Sequence, residues 1–439
     1  MDQYSAGLIR SKNLELHFMR RIFFLSFLLI IRASVLRAAD PAAVKNISSL
    51  ASPTSSTGQD FKDYVKFLQE VYTTMAKNYY YPVSAESFKK FLVIFQRKIY
   101  APLKLTSKTD NYIKWRSAAY LVDYLKSPED IFSAFIPPKP AKEFEKTALG
   151  KKQDLGIQGD FTPAGFAIFY VEPRSAAFEK GLREKDIIKK INQIVVARLT
   201  PEKIKELLNP PEGVTVNVKY FDFLAKVEKS MDIVSKEYFK QTVFMVPVDV
   251  PGLFCLQISK FNQGTPDDMS KYMAEIVKQD PKGLIIDLRG NPGGPPLAAK
   301  EISAFFLPPD EEFAYFQMKN KPKASLSVPN IPEQFRYKGD IVILVNKESG
   351  SASELFSGVL QNRGRAVIMG TNTAGQVFLK SMFNFDDESM LLLVTARGHL
   401  TDGKVFSFDG IEPDAKVTEE AGDLIKYAVD YLVAHKKKK

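Results

Sequence analysis

Residues 349–354 read Ser-Gly-Ser-Ala-Ser-Glu, a cluster of three hydroxyls and one carboxylate. The run Ser351-Ala-Ser-Glu354 fits the S-x-x-E capping box, and Leu355, Phe356, Val359 and Leu360 extend it as an apolar helical face. Ser351 thus reads as a helix cap contributing about 1 kcal/mol. The same place suits a nucleophile, because a serine at a helix start lies at the positive end of the dipole and its own turn offers N–H donors to a developing oxyanion. An attacking serine needs a base. Of the three histidines, His17 lies near the start, His435 sits in the tail, and only His399 remains. The other option is a lysine whose pKa burial depresses toward neutrality.

A second candidate element is the glycine loop GNPGGPP at 290–296, which follows the apolar run GLIIDLR. Pro292, Pro295 and Pro296 lack an N–H, so Gly293 and Gly294 are the free donors in its middle. No GKS/T and no GxGxxG is present, which leaves a backbone oxyanion hole or a tight turn requiring positive φ.

These groups need a frame. Tyr64, Phe67, Leu68, Val71 and Met75, and then Phe88, Phe91, Leu92 and Phe95, recur at helical spacing. Between 155 and 221, short runs (GFAIFYV, DIIKKIN, VTVNVKYF) alternate with turns and one helix, TPEKIKELL. From about 245, GLFCLQIS, GLIIDLR, DIVILVN and AVIMG read as strands. Between them lie helical DDMSKYMAEIVKQ, LAAKEISAFF and ASELFSGVLQNRG. Strands alternating with helices predict βαβ units and a partly parallel sheet.

Composition narrows the function classes. Cys255 is the sole cysteine, which rules out an intramolecular disulfide and a thiolate metal cluster, and three histidines without HExxH leave no multi-His metal site. The net charge is +10, yet residues 1–39 hold six Lys/Arg against two Asp/Glu, and four more charges are the terminal KKKK. No basic stripe with interleaved aromatics appears, which speaks against nucleic acid. From Met19 the chain reads MRRIFFLSFLLIIRASVLRAAD, two arginines before an apolar run and small residues after it, the layout of a secretory leader. Arg37 makes the cleavage site irregular, so an uncleaved anchor is the alternative.

Several motifs in order resemble the carboxy-terminal processing proteases, also called tail-specific proteases, of the S41 type. They are LKSPEDIFSAFIPP (125–138), GIQGDF with EPRSAAFEKGLREKDIIKKIN, GLIIDLRGNPGG, NKESGSASELFSGVLQNRGRAVIMGTNTAG and FDGIEPD (408–414). The resemblance implies an α/β, α+β multidomain chain with a helical N-terminal region, a PDZ β-domain and a ClpP/crotonase-like protease core. On that division 1–39 is the leader (with Met19 as an alternative start) and 40–58 a linker. Residues 59–150 are the helical region, 151–240 the PDZ domain, 241–420 the protease core, and 421–439 a C-terminal helix and basic tail.

The resemblance further implies Ser351 as nucleophile, the N–H groups of Gly293 and Ala352 as oxyanion donors, and Ser349 and Ser353 as supporting residues. The family places a lysine base directly after a T-x-G turn and an orienting glutamine four residues on. Here Gln376 stands at the lysine position and Lys380 at the glutamine position. Either Lys380 reaches Ser351 from the other direction, or Gln376 hydrogen-bonds Ser351 and the chain is a peptide-binding scaffold without activity. Positions i and i+4 of a regular strand lie roughly 13 Å apart, so the first option requires a bent backbone. Gly156, Ile157, Gln158 and Gly159 replace the usual PDZ carboxylate loop, and Phe161, Phe166 and Ile168 are candidates for its groove. The expectation is an exported serine endopeptidase, secreted, periplasmic or envelope-anchored. Its partners are polypeptide substrates docked by their C-terminal tails; it has no metal or cofactor, and the sequence leaves an oligomer open. An unrelated α/β hydrolase fails for want of G-x-S-x-G and a placed histidine.

Overall fold

The computed structural model describes residues 57–102, 109–148, 150–418 and 422–436. The leader reading, most of the linker reading, His17 and the last three lysines lie outside the described residues.

The expected helices are α1 (Thr57–Asn78), α2 (Ala85–Ile94), which runs into a π-helical turn at Phe95–Tyr100, and α3 (Asp110–Leu125). Ser84 and Thr109 cap α2 and α3, each accepting a backbone N–H three residues on. The aromatic stripe of α1 and α2 is buried, and it does not form a core by itself. It covers β17 (Phe378–Asn384) and β18 (Met390–His399), whose Phe378, Met382 and Leu391–Leu393 share its cluster. These strands belong to a five-stranded sheet in which β1 (Ala134–Ile136), β18, β13 (Glu312–Met318) and β14 (Ala324–Ser327) are neighbours in that order and β17 pairs with β18.

The α/β alternation forms a second sheet, ordered β10 (Val243–Val246), β11 (Leu253–Ile258), β12 (Gly283–Asp287), β15 (Ile341–Val345), β16 (Val367–Gly370) and β19 (Ala415–Lys416). Pairing from β11 to β19 is parallel and only β10 is antiparallel, which is the partly parallel sheet the pattern predicts. All five residues of β12 and all five of β15 are buried, as strands covered on both faces require. Helices α7 (Thr265–Ile276), α8 (Pro296–Ser303) and α9 (Ala352–Asn362) cover one face. Helix α10 (Leu424–Lys436) packs on the other through Leu424, Ala428 and Leu432.

Between these parts a six-stranded sheet holds β3 (Ile157–Thr162), β4 (Gly165–Val171), β5 (Ile187–Ile191), β7 (Thr215–Asp222) and β8 (Val227–Val234) in line, with β6 (Ile194–Val195) on β5. The short helices α5 (Ala176–Glu179) and α6 (Pro201–Leu208) complete it around its own core. Helix α4 (Pro138–Ala148) leads in. The chain enters through β2 (Lys151–Asp154) and leaves through β9 (Lys236–Phe239), which pair antiparallel as a two-stranded ribbon.

Candidate active site

Three serines compete at the start of α9, and their hydroxyls separate them. Ser349 Oγ donates to Leu288 O (2.8 Å) and accepts from Asn346 N–H (2.9 Å). Ser353 Oγ donates to Asn291 O (2.8 Å). Both hydroxyls therefore tie the helix start to the end of β12 and the glycine loop. Ser351 Oγ donates to no backbone carbonyl, and the residue holds φ +53° and ψ −111°, outside both the right-handed and the left-handed helical regions. A non-glycine residue in such a conformation costs on the order of 1–3 kcal/mol and persists only where its surroundings over-determine it.

The surroundings that do so centre on Glu354, which is 1% exposed. Ser351 and Glu354 form a capping box in which Ser351 N–H donates to Oε2 (2.8 Å). The same carboxylate accepts Gln376 N–H on Oε2 (2.8 Å), and Gly375 N–H and Thr373 Oγ–H on Oε1 (2.6 Å each). One carboxylate therefore fastens the Ser351 turn to the Thr373–Gln376 loop. Burial pushes its pKa up from the ordinary carboxyl range, and these four donors oppose the shift. Sequence reading saw Glu354 only as a capping partner, since nothing local marks a glutamate for full burial.

The glycine loop lies against Ser351. Gly293 has φ +94°, and a Cβ there would stand 2.6 Å from Ala352 N and 3.0 Å from Ser351 Cβ, besides striking Gly350 O. Only glycine fits. Its N–H, expected as an oxyanion donor, donates to Asn291 Oδ1 (2.8 Å). Asn291 Nδ2 in turn donates to Ile258 O (2.7 Å), and Asn291 O accepts Gly350 N–H (3.0 Å). Asn291 is thus a brace that the sequence reading passed over, although an asparagine inside a glycine turn suits an Asx-type bond two residues on. Ala352 N–H is at the first turn of α9, where no intrahelical acceptor exists.

Lys380 and Gln376 are brought to different environments. Gln376 precedes β17 in a loop whose carbonyl accepts Phe378 N–H (3.0 Å), so the two residues do not share a regular strand. Its side chain is half-buried and makes no hydrogen bond. Lys380 is 2% exposed, on the face of β17 that Phe378 and Met382 turn to the helical layer. The ladder to β18 slips between Leu379 and Lys380, a bulge that re-aims the side chain. The ammonium lies 4.1 Å from the Phe132 ring centre. Phe132 N–H and Ser133 N–H both donate to Asp130 Oδ1 (2.9 Å), and Tyr79 OH donates to Asp130 Oδ2 (2.7 Å). Burial lowers the Lys380 pKa to about 8, with the Asp130 and Glu354 carboxylates pulling the other way.

His399 takes no part here: its ring stacks on Tyr315 at 4.8 Å and neither ring nitrogen has a hydrogen-bond partner. Cys255 is fully buried in β11, and burial raises its thiol pKa to about 12, so it is no nucleophile. In the six-stranded unit, Gly156 N–H donates to Asp154 Oδ1 (2.7 Å) and is committed within the fold. Ile157 opens β3, and the ladder shifts between Gln158 and Gly159. Ile168 belongs to the core of that unit, whereas Phe161 is 47% exposed beside the free edge of β3.

A serine in strained backbone at a helix start and a glycine loop pressed against it thus stand on the α/β core, and a buried lysine of lowered pKa lies on β17. Residues 253–417 match the profile of peptidase family S41. The chain is 25% identical over 405 residues to a probable CtpA-like serine protease of Staphylococcus saprophyticus, covering 90% of this chain and 74% of the relative. It is 24% identical over 418 residues to the carboxy-terminal processing protease CtpA of Bacillus subtilis, covering 95% and 81%. The solved tricorn protease superposes with TM-score 0.54 at 14% identity, over 85% of this chain and 37% of tricorn, a likeness of fold. The resemblance read from the motifs to carboxy-terminal processing proteases is met.

Proposed function

We propose that the chain is a serine endopeptidase that cleaves polypeptides, with Ser351 as nucleophile and Lys380 as general base. The observation that carries this reading is Lys380: a lysine fully withdrawn from water whose pKa falls to about 8, within the field of the Glu354 carboxylate that also binds Ser351 N–H. A lysine half-neutral near pH 8 accepts a proton from a serine hydroxyl, which an ordinary lysine cannot do at that pH. Ser351 Oγ attacks the scissile carbonyl and Ala352 N–H, with Gly293 N–H turning from Asn291, receives the oxyanion. Lys380 returns its proton to the leaving amine, and water releases the acyl group. The free edge of β3 is the place where a substrate tail adds as a strand. Export is read from the leader-like stretch after Met19.

The test is cleavage of an unfolded protein by the wild type, Ser351→Ala and Lys380→Ala. Both variants should lose activity by more than a hundredfold, on the scale of lost general-base catalysis. Equal cleavage by all three rejects the mechanism. Gln376 at the family's lysine position favours a second reading, an inactive peptide-binding scaffold. It is upheld if the wild type is inert and Gln376→Lys cleaves.

A further inference from the structure

The wall that shuts Lys380 in comes from the helical layer, and one carboxylate holds that wall together. Asp130 lies in the turn between α3 and β1 and is buried. Its Oδ1 accepts the N–H groups of Phe132 and Ser133, an Asx-type turn that folds the chain back on itself. Both residues then meet the sheet that carries Lys380. Phe132 lays its ring 4.1 Å from the Lys380 ammonium. Ser133 Oγ accepts Val394 N–H (2.9 Å), and Val394 is the β18 residue paired with Lys380 at the bulge. Val394 O is bound from the same layer, by Tyr80 N–H (2.9 Å). The second oxygen of Asp130 is held by Tyr79 OH (2.7 Å), which itself accepts Ser127 N–H (3.0 Å). Burial, and then the Asp130 carboxylate, push the Tyr79 phenol pKa up, so this hydroxyl stays a donor.

We propose that Asp130 is the positioning residue of the Lys380 base: it fixes the Phe132–Ser133 wall around the lysine and sets a carboxylate in the field of its ammonium. The proposal deepens the endopeptidase reading and rests on it for the role in cleavage. Charged and titratable groups come to this place from every packed element. They are Tyr79 and Tyr81 after α1, Glu129 and Asp130 before β1, Arg397 on β18 and Glu354 on α9. Tyr81 OH is bonded to Glu129 (3.2 Å). Glu354 is committed to the donors of the Ser351 turn and the Thr373–Gln376 loop, and Asp130 acts on Lys380 more strongly than it does. The carboxylate favours the protonated lysine and the dry ring favours the free amine, so the two parts of the device pull the titration in opposite directions.

That opposition supplies the test. In Asp130→Asn the amide keeps an oxygen for the two N–H groups and drops the charge. The inflection of kcat/KM with pH should then fall by about one unit. In Phe132→Ala water reaches the ammonium, and the inflection should rise toward the ordinary 10.5. A turn that merely loosened would admit water in both variants and raise both inflections. An inflection unmoved or raised in Asp130→Asn, or unmoved in Phe132→Ala, overturns the proposal. A second measurement leaves the buried carboxylate in place. In the full chain carrying Ser351→Ala, the 13C shift of the Asp130 carboxyl should inflect near pH 8 as Lys380 loses its proton, and adding Lys380→Met should remove that inflection. A carboxyl shift without it also overturns the proposal. This reading needs no cleavage, so failure of the base in the cleavage assay and failure here are separate results.

Discussion

At the scale of residues, the choice among three serines falls on hydrogen bonds that spacing alone does not reveal. Ser349 and Ser353 donate their hydroxyls to carbonyls, and Ser351 combines a hydroxyl that donates to no backbone carbonyl with a strained backbone. On the proposed mechanism Lys380 sets the pH dependence. Its base form accumulates as pH rises through about 8, so kcat/KM should climb with pH and level off above that value. A profile flat from pH 6 to 9 removes Lys380 from the chemistry. Stability carries the opposite message at neutral pH. The folded chain holds Lys380 with a pKa lowered from the ordinary 10.5, so the unfolded chain binds more protons between about 8 and 10.5 and stability rises with pH across that window. Below it the buried ammonium costs on the order of 3 kcal/mol, one pKa unit being about 1.4 kcal/mol. Lys380→Met should therefore abolish cleavage yet raise the melting temperature at pH 7, checked by circular dichroism.

At the scale of elements, Glu354 is the clamp between α9 and the loop before β17. In Glu354→Gln an NH2 replaces one oxygen and confronts backbone donors that the carboxylate accepted. The expected cost is about 1–3 kcal/mol of stability, with kcat falling more than KM because the Ser351 turn loosens. A variant that melts and cleaves like the wild type contradicts the clamp. Gly293→Ala should be worse, since its methyl group meets Ala352 N and Gly350 O in a rigid turn. Much of this level was legible beforehand. Buried parallel strands announce themselves as apolar runs, and GLIIDLR and DIVILVN became β12 and β15. The helical stripes of Tyr64–Met75 and Phe88–Phe95 are buried as their period demands. What stayed hidden depends on long-range burial. The motif comparison located Lys380, yet its enclosure comes from Phe132 and from the bulge opposite β18.

At the scale of the molecule, two charged side chains tie the six-stranded unit to the core among the described residues: Glu172, whose Oε1 accepts Gln241 N–H (2.6 Å), and Arg174. Arg174 NH2 donates to Asp268 Oδ1 (2.6 Å) and to Gly264 O (2.9 Å), and Asp268 is 4% exposed. Removing the cation strands a buried carboxylate, so Arg174→Ala should cost about 3 kcal/mol. Adding Asp268→Asn should recover part of the loss in chemical denaturation, and no recovery would mean that the pair is incidental. The ribbon that carries the unit has a consequence for chain topology. Asp154 and Lys236 are ladder partners, so the path leaves the core and returns to it at neighbouring points about 5 Å apart. The whole unit is therefore a detour hung on a hairpin. Replacing residues 155–235 by an Asn-Gly turn, with Asp268→Asn to spare the orphaned carboxylate, closes that hairpin without moving another strand. The shortened chain should fold around the same two sheets, which makes the unit a replaceable module in a chain whose two larger sheets are built without it.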